Sequence, residues 1–170
     1  MAVGSRLSNE RLSLEIDEHS GAISSLQYRG IDADLVDANQ PGGLNDYLYI
    51  LGRDPDKNRT APERPMTITV EDEGPLVATL RIESDAPGCN GLVRRVRVVE
   101  GLGYVELTNT VDKLKERRPE GAYFSFPFNI PNAISRVDAP LAVVQVEKDQ
   151  LPGANRNFYC VQRWVDLSSD

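Results

Sequence analysis

The stretch from Leu76 to Glu83 reads Leu-Val-Ala-Thr-Leu-Arg-Ile-Glu, and its apolar residues recur at every second position up to Ile82. Successive side chains of a β-strand point to opposite faces, so this spacing puts one apolar row on a single face. The same period of two is found in three other sets of residues: Leu12, Leu14 and Ile16; Met66, Ile68 and Val70; Phe124, Phe126, Phe128 and Ile130. These segments are predicted to be strands with one buried face.

Turn-forming residues separate the predicted strands, for example at residues 18–21, 72–75 and 85–88. The 170 residues include 11 prolines and 13 glycines, and no window carries sustained apolar positions at helical spacing. About ten short strands with one wet face stack into layers rather than lie in one open sheet. The predicted fold is an all-β, antiparallel two-sheet β-sandwich with almost no helix.

The domain organisation follows from length and local composition. A chain of this size can bury a core of its own, so residues 1–170 are predicted to form a single β-sandwich domain or a domain fragment. Residues 52–65 are polar and rich in proline, which predicts a long surface loop.

Charge and hydropathy exclude several classes of partner. The net charge of −7 argues against binding to a phosphate backbone. The sequence has no run of about 18 apolar residues of the kind that predicts a membrane span. Neither a nucleic-acid nor a membrane partner is expected. Cys89 and Cys160 lie far apart and outside any Cys-x-x-Cys pair, which favours free thiols and a cytoplasmic protein.

Catalytic chemistry has few candidate residues in this chain. The single histidine, His19, lies in a predicted turn and supplies neither a triad nor a zinc site. A glycosidase of the two-carboxylate type needs a close pair of acids in unlike environments. The candidates are Asp32, Asp34, Asp37, Asp46 and the acids from Glu71 to Glu73. Most of them fall in turns, so no catalytic residue and no metal ligand is assigned.

The basic and aromatic residues can be interpreted either as structural residues or as ligand contacts. The basic residues are predicted to pair with acids of neighbouring strands on a solvated face rather than to bind an anionic ligand; they are Arg94, Arg95, Arg97, Lys113, Lys115, Arg117 and Arg118. Tyr47 and Tyr49 share one side of a predicted strand, where they either pack in a core or offer a sugar an apolar platform with a hydroxyl group.

The last third of the chain carries a family resemblance. It contains Tyr123-Phe124-Ser125-Phe126-Pro127-Phe128, then Asp149-Gln150-Leu151-Pro152-Gly153-Ala154, then Val161-Gln162-Arg163-Trp164-Val165-Asp166. These segments, in this order, resemble the all-β region downstream of the catalytic barrel in the family 38 glycoside hydrolases, the α-mannosidases. The opening residues 7–26 and the strand at residues 105–112 are similar to the same region.

The resemblance implies a galactose-mutarotase-like sandwich that lacks the chemistry of the family. Zinc and an aspartate nucleophile would reside in the absent barrel, so this chain alone is expected to be inactive and to hold no cofactor. Its implied partners are the catalytic barrel of the same polypeptide and an α-mannoside. The segment at residues 45–49 resembles a family element that presents a tyrosine to substrate, which makes Tyr47 the predicted substrate contact.

The family's sandwich continues beyond the strand that holds Trp164, so the resemblance also implies a truncated sandwich with open strand edges and self-association. Two alternatives remain at this stage. One is a free-standing carbohydrate-binding module that uses Tyr47, Tyr49 or Trp164. The other is an autonomous carboxylate-dependent glycosidase or lyase.

Overall fold

The computed structural model describes residues 1–54, 58–62, 66–156 and 158–169. Throughout these residues the chain is all-β, with antiparallel sheets and no helix, as the alternating pattern predicted. It divides into two compact units, residues 1–129 and residues 130–170. The prediction of a single domain stays a prediction.

Eleven strands are found in the described part of the first unit. They are β1 (Ala2–Val3), β2 (Arg6–Ser8), β3 (Leu12–Ile16), β4 (Ile23–Tyr28), β5 (Asp46–Leu51), β6 (Arg59–Thr60), β7 (Thr67–Glu73), β8 (Val77–Ser84), β9 (Cys89–Val99), β10 (Val105–Lys113) and β11 (Glu120–Ser125). Hydrogen bonding groups them into three antiparallel sheets: the first has the order β1-β2-β3-β4, the second β10-β9-β8-β7 and the third β11-β5-β6.

The first and third sheets are joined by one isolated pair of residues. Ile23 of β4 and Leu44, which precedes β5, exchange backbone hydrogen bonds of 2.9 and 3.0 Å. The two sheets therefore form one layer of a sandwich, and the second sheet forms the other. The sequence did not indicate that one layer is split into two sheets.

The core lies between these two layers. Leu14 and Ile16 of the first sheet pack in one buried cluster with Leu80, Ile82 and Val96 of the second. A second cluster places Tyr47 and Tyr49 of the third sheet against Leu92 of the second. Each buried aliphatic or aromatic side chain contributes about 1.5–3 kcal/mol. Period-two alternation was thus a reliable guide to the faces that make the core.

The segment at residues 52–65 is described only in part. Residues 55–57 and 63–65 lie outside the described residues. Of the remainder, Arg59 and Thr60 form the short strand β6, which pairs with Ile50 and Tyr49. The prediction of a long surface loop did not include this strand.

The described residues of the second unit form a three-stranded antiparallel sheet of order β13-β12-β14, built from β12 (Ile134–Ala139), β13 (Ala142–Gln145) and β14 (Val165–Ser168). Val137 of β12 pairs with Val144 and Val165, so one face of this sheet is apolar. Arg136 lies on the other face and pairs with Asp166 at 3.1 Å. In the described parts of both units we find no helix with the length and hydropathy of a membrane span.

Candidate functional site

Tyr47, the predicted substrate contact, lies inside the sandwich. Its side chain is 0% exposed, and its hydroxyl donates a hydrogen bond of 2.9 Å to the carbonyl oxygen of Pro87. Its ring meets that of Phe124 edge-on, with centroids 5.5 Å apart. Burial, together with the neighbouring Cys89 thiol, raises the pKa of the Tyr47 phenol. The hydroxyl is therefore already used inside the fold. A role for Tyr47 in substrate binding stays a prediction.

A stability measurement tests the packing role of the Tyr47 hydroxyl. We expect Tyr47→Phe to lower the free energy of unfolding by about 1 kcal/mol, because the half-buried Pro87 carbonyl loses its donor. Urea unfolding followed by circular dichroism measures the change. Tyr104→Phe is the matched control, since Tyr104 is exposed, and it should leave the midpoint unchanged. Equal midpoints for both variants would show that the Tyr47 hydroxyl has no packing role.

Tyr49 points into the same core but bonds to a charged pair at its margin. Its hydroxyl donates a 2.5 Å hydrogen bond to Glu120, whose carboxylate also accepts one of 2.8 Å from Lys113. The hydrogen bond to Glu120 raises the pKa of Tyr49 to about 12, so the phenol stays protonated at neutral pH. Gly88 packs directly on the Tyr49 ring, where a Cβ would lie 2.3 Å from a ring carbon.

A buried polar cluster lies where the three sheets of the first unit meet. Arg94 of β9 is 0% exposed and donates to the carbonyl oxygens of Ser20 at 2.7 Å and Asn45 at 3.2 Å. The side-chain amides of Asn45 and Asn109 exchange hydrogen bonds of 2.9 and 2.7 Å. One guanidinium of the second sheet thus holds the β3–β4 turn of the first sheet and the entry to β5 in the third.

The prediction that Arg94 lies on a solvated face is wrong, whereas the structure confirms it for Arg95 and Arg97. Arg95 pairs with Glu71 at 2.7 Å and Arg97 with Glu106 at 3.1 Å. Arg94 has the same parity as Leu92, Val96 and Val98, which line the core. This parity was the available sequence signal for its burial.

Asp46 begins β5 and is also buried. Burial raises the pKa of its carboxyl, although the positive charges of Arg94 and Arg59 act in the opposite direction. Its Oδ1 has no hydrogen-bond partner among the described residues. Cross-strand pairing with Ser125 puts Asp46 on the outer face of the third sheet, opposite to the face that carries Tyr47.

Three other carboxylates considered for catalysis, Asp34, Asp37 and Glu71, hold turns or an ion pair. Asp34 accepts hydrogen bonds from the Ser25 hydroxyl and from the backbone N–H groups of Leu26 and Val36. Burial alone would raise the pKa of Asp34, but these hydrogen bonds outweigh it and lower the pKa. Asp37 accepts from the backbone N–H of Asn39. Within the described ranges, no three His, Cys, Asp or Glu side chains cluster closely enough to hold a metal ion.

The outer face of the third sheet carries an exposed tyrosine. Tyr123 of β11 pairs with Leu48 and is 41% exposed. Its ring lies over Gly121, because a Cβ at Gly121 would come within 2.5 to 2.7 Å of three ring atoms, Cε2, Oη and Cζ. Tyr123 precedes Phe124 and therefore faces away from it in a strand, but the sequence gave no sign that Gly121 supports its ring.

The second unit exposes many of its large apolar side chains. Leu151 is 79% exposed and Phe158 70%, and Trp164 and Val165 are also exposed. Among the described residues of this unit, Val137 is the one apolar residue whose side chain is buried. The unit therefore presents apolar surface that its own strands do not cover.

Comparison with protein families identifies the chain. The family described as "Glycosyl hydrolases family 38 C-terminal domain" matches residues 7–170. The chain belongs to this family. Its members form part of glycoside hydrolases of family 38, so this chain represents a non-catalytic part of such a protein. A comparison with curated proteins found no match.

The three segments that carry the resemblance to the family 38 C-terminal domain differ in how far their side chains are buried. Phe124 of the first segment packs against the core, whereas Phe126 and Phe128 are exposed and stack on each other with centroids 6.4 Å apart. The strand predicted through Ile130 ends at Ser125, so these two phenylalanines lie beyond β11. Leu151 and Trp164, from the second and third segments, are exposed.

Proposed function

We propose that this family 38 C-terminal domain supports the catalytic barrel of an α-mannosidase-type hydrolase and contributes to carbohydrate binding beside it. The observation that carries the proposal is the apolar surface of the second unit. Soluble proteins seldom leave large apolar surface uncovered unless it meets a partner. Leu151 and Phe158, each at least 70% exposed, are the best candidates to contact the barrel of the same polypeptide.

In this proposal the chemistry belongs to the barrel. Zinc and an aspartate nucleophile would be supplied there, and the described residues of this chain offer no donor set for the metal. The chain supplies a stiff support, since Arg94 and the Ile23–Leu44 pair tie its three sheets together. A wall that does not move keeps reacting groups in their productive geometry.

The docking proposal is tested in the polypeptide that carries the barrel. We expect Phe158→Ser to shorten the half-life of aryl α-mannoside hydrolysis at elevated temperature severalfold, because the docked surface loses apolar contact. Leu76→Ser is the matched control, since Leu76 is 70% exposed at a turn of the first unit. Equal half-lives for the two variants would contradict docking through the second unit.

Two further results would overturn the proposal. The isolated chain is expected to show no turnover of an aryl α-mannoside, with or without added zinc, above an unrelated control protein. Zinc-dependent turnover would instead reveal a catalytic site in this chain. A coding sequence with no barrel upstream would remove the partner and favour the free-standing module.

The free-standing carbohydrate-binding module is the second candidate. Of the three aromatic residues first considered for it, Tyr47 and Tyr49 are buried, and Trp164 is 40% exposed. Self-association remains a prediction for either function, and sedimentation of the isolated chain measures it. An autonomous carboxylate-dependent hydrolase or lyase has the least support, because Asp34 and Glu71 are engaged in structural contacts.

A further inference from the structure

The outer face of the third sheet has a regular arrangement of side chains across its three strands. Gly121 of β11 pairs with Ile50 of β5, and Ile50 pairs with Arg59 of β6, so the three residues form one row. Tyr123 lies one step along β11 on the same face. Its ring covers Gly121 and so enters this row.

The row forms a shallow platform of defined width. Neighbouring strands lie about 4.8 Å apart, so Arg59 is separated from Gly121 by about 10 Å across Ile50. The Tyr123 ring flanks one side, the half-buried Ile50 forms the floor and the exposed Arg59 flanks the other side. This width is sufficient for a single sugar ring.

We infer that this platform is a carbohydrate subsite that binds a hexopyranose unit of a glycan, with Tyr123 and Arg59 as its contact residues. The inference deepens the carbohydrate-binding part of the proposed function and rests on it. A tyrosine ring held against the sheet offers an apolar face to the C–H side of a sugar. The Arg59 guanidinium offers several N–H donors in a fixed fork for neighbouring sugar hydroxyls.

The ring's support argues for a platform rather than a chance exposed residue. Any residue other than glycine at position 121 would push the Tyr123 ring off the sheet. A ring already held in place loses little side-chain freedom when a ligand binds. The positive charge of Arg59 acts on the buried carboxyl of Asp46, which favours a neutral polar ligand over an anion on this face.

The test measures binding of the isolated chain to α-mannotetraose by isothermal titration calorimetry, with cellotetraose as a second probe. We expect Tyr123→Ala to weaken binding at least fivefold and Tyr123→Phe to change it by less than twofold. Gly121→Ala should weaken binding as strongly as Tyr123→Ala although the tyrosine is kept, because its Cβ displaces the ring. Arg59→Ala should also weaken binding. Tyr104→Ala removes an exposed tyrosine elsewhere and should have no effect.

Several outcomes would overturn the subsite. Unchanged affinity in both Tyr123→Ala and Gly121→Ala would contradict it. The subsite would also be contradicted if the unaltered chain bound neither α-mannotetraose nor cellotetraose. Loss of binding in Trp164→Ala alone would place the sugar on the second unit. If Tyr123→Ala, like Phe158→Ser, shortens the half-life of the barrel-containing enzyme and leaves sugar binding intact, the face is a protein contact. Circular dichroism of each variant confirms that the fold is retained.

The glycan titration and the half-life assay test the subsite and the docking proposal separately. A chain that binds no sugar but still supports the barrel would contradict the subsite alone. A chain that binds sugar through Tyr123 but has no effect on barrel stability would contradict docking alone.

Discussion

Arg94→Met is expected to lower the free energy of unfolding by about 3–5 kcal/mol, because it removes a fully buried charged donor that two backbone carbonyls share. Burial lowers the pKa of Arg94 to about 10, so the guanidinium is still charged at neutral pH. Methionine keeps much of the volume but leaves the carbonyls of Ser20 and Asn45 without this donor. The charge that lowers the pKa of Asp46 is also lost.

Urea unfolding of Arg94→Met and Arg95→Met makes the comparison direct. The two positions are adjacent on β9 and receive the same substitution, but Arg95 faces outward and pairs with Glu71. Exposed ion pairs contribute little, so Arg95→Met should cause only a small fraction of the loss. Similar losses for the two variants would mean that the buried hydrogen bonds of Arg94 do not hold the three sheets together.

Gly43→Ala is expected to destabilise the chain by about 3 kcal/mol, because the new methyl group collides with backbone. A Cβ at Gly43 would lie 2.3 Å from the carbonyl oxygen of Ile23 and 2.9 Å from its carbonyl carbon. No rotation of a side chain relieves this contact. The pair between Ile23 and Leu44, which joins the first and third sheets, would have to open.

The matched control for Gly43→Ala is Gly91→Ala. A Cβ at Gly91 meets nothing within 4 Å, and Gly91 lies in the strand β9. Alanine there should be neutral or stabilise by about 0.5 kcal/mol, since it restricts the unfolded chain. Thermal unfolding by circular dichroism compares the two variants. A normal midpoint for Gly43→Ala would show that the junction between the two sheets can shift at little cost.

The sequence predicted the class of the fold because strand alternation is a local property. Ala78, Leu80 and Ile82 are buried as their spacing indicated, whereas Leu76, at the start of the same run, lies outside β8 and is exposed. The limits of a strand depend on the strand that pairs with it. For the same reason the pattern from Phe124 to Ile130 predicted one strand, but the strand ends at Ser125.

The candidate site was less accessible from the sequence. Resemblance to the family led to Tyr47, and the tyrosine pattern allowed either a core or a sugar-binding role for it. The facing second sheet buries Tyr47, since Leu92 packs against it and Pro87 accepts its hydroxyl hydrogen bond, while its role in substrate binding stays a prediction. The support of the Tyr123 ring by Gly121 depends on the side-chain conformation of a residue two positions away, which periodicity does not specify.

The sequence by itself determined that this chain is built of antiparallel strands and belongs to the family 38 C-terminal domain, because alternation and segment order are read along the chain. Only the tertiary structure decided that Arg94 is buried, that Tyr47 is enclosed and that Tyr123 is exposed on a platform. These outcomes depend on which layer faces each strand and on contacts between residues far apart in sequence. Whether a side chain is buried depends on the layer that faces its strand and not on its own segment alone.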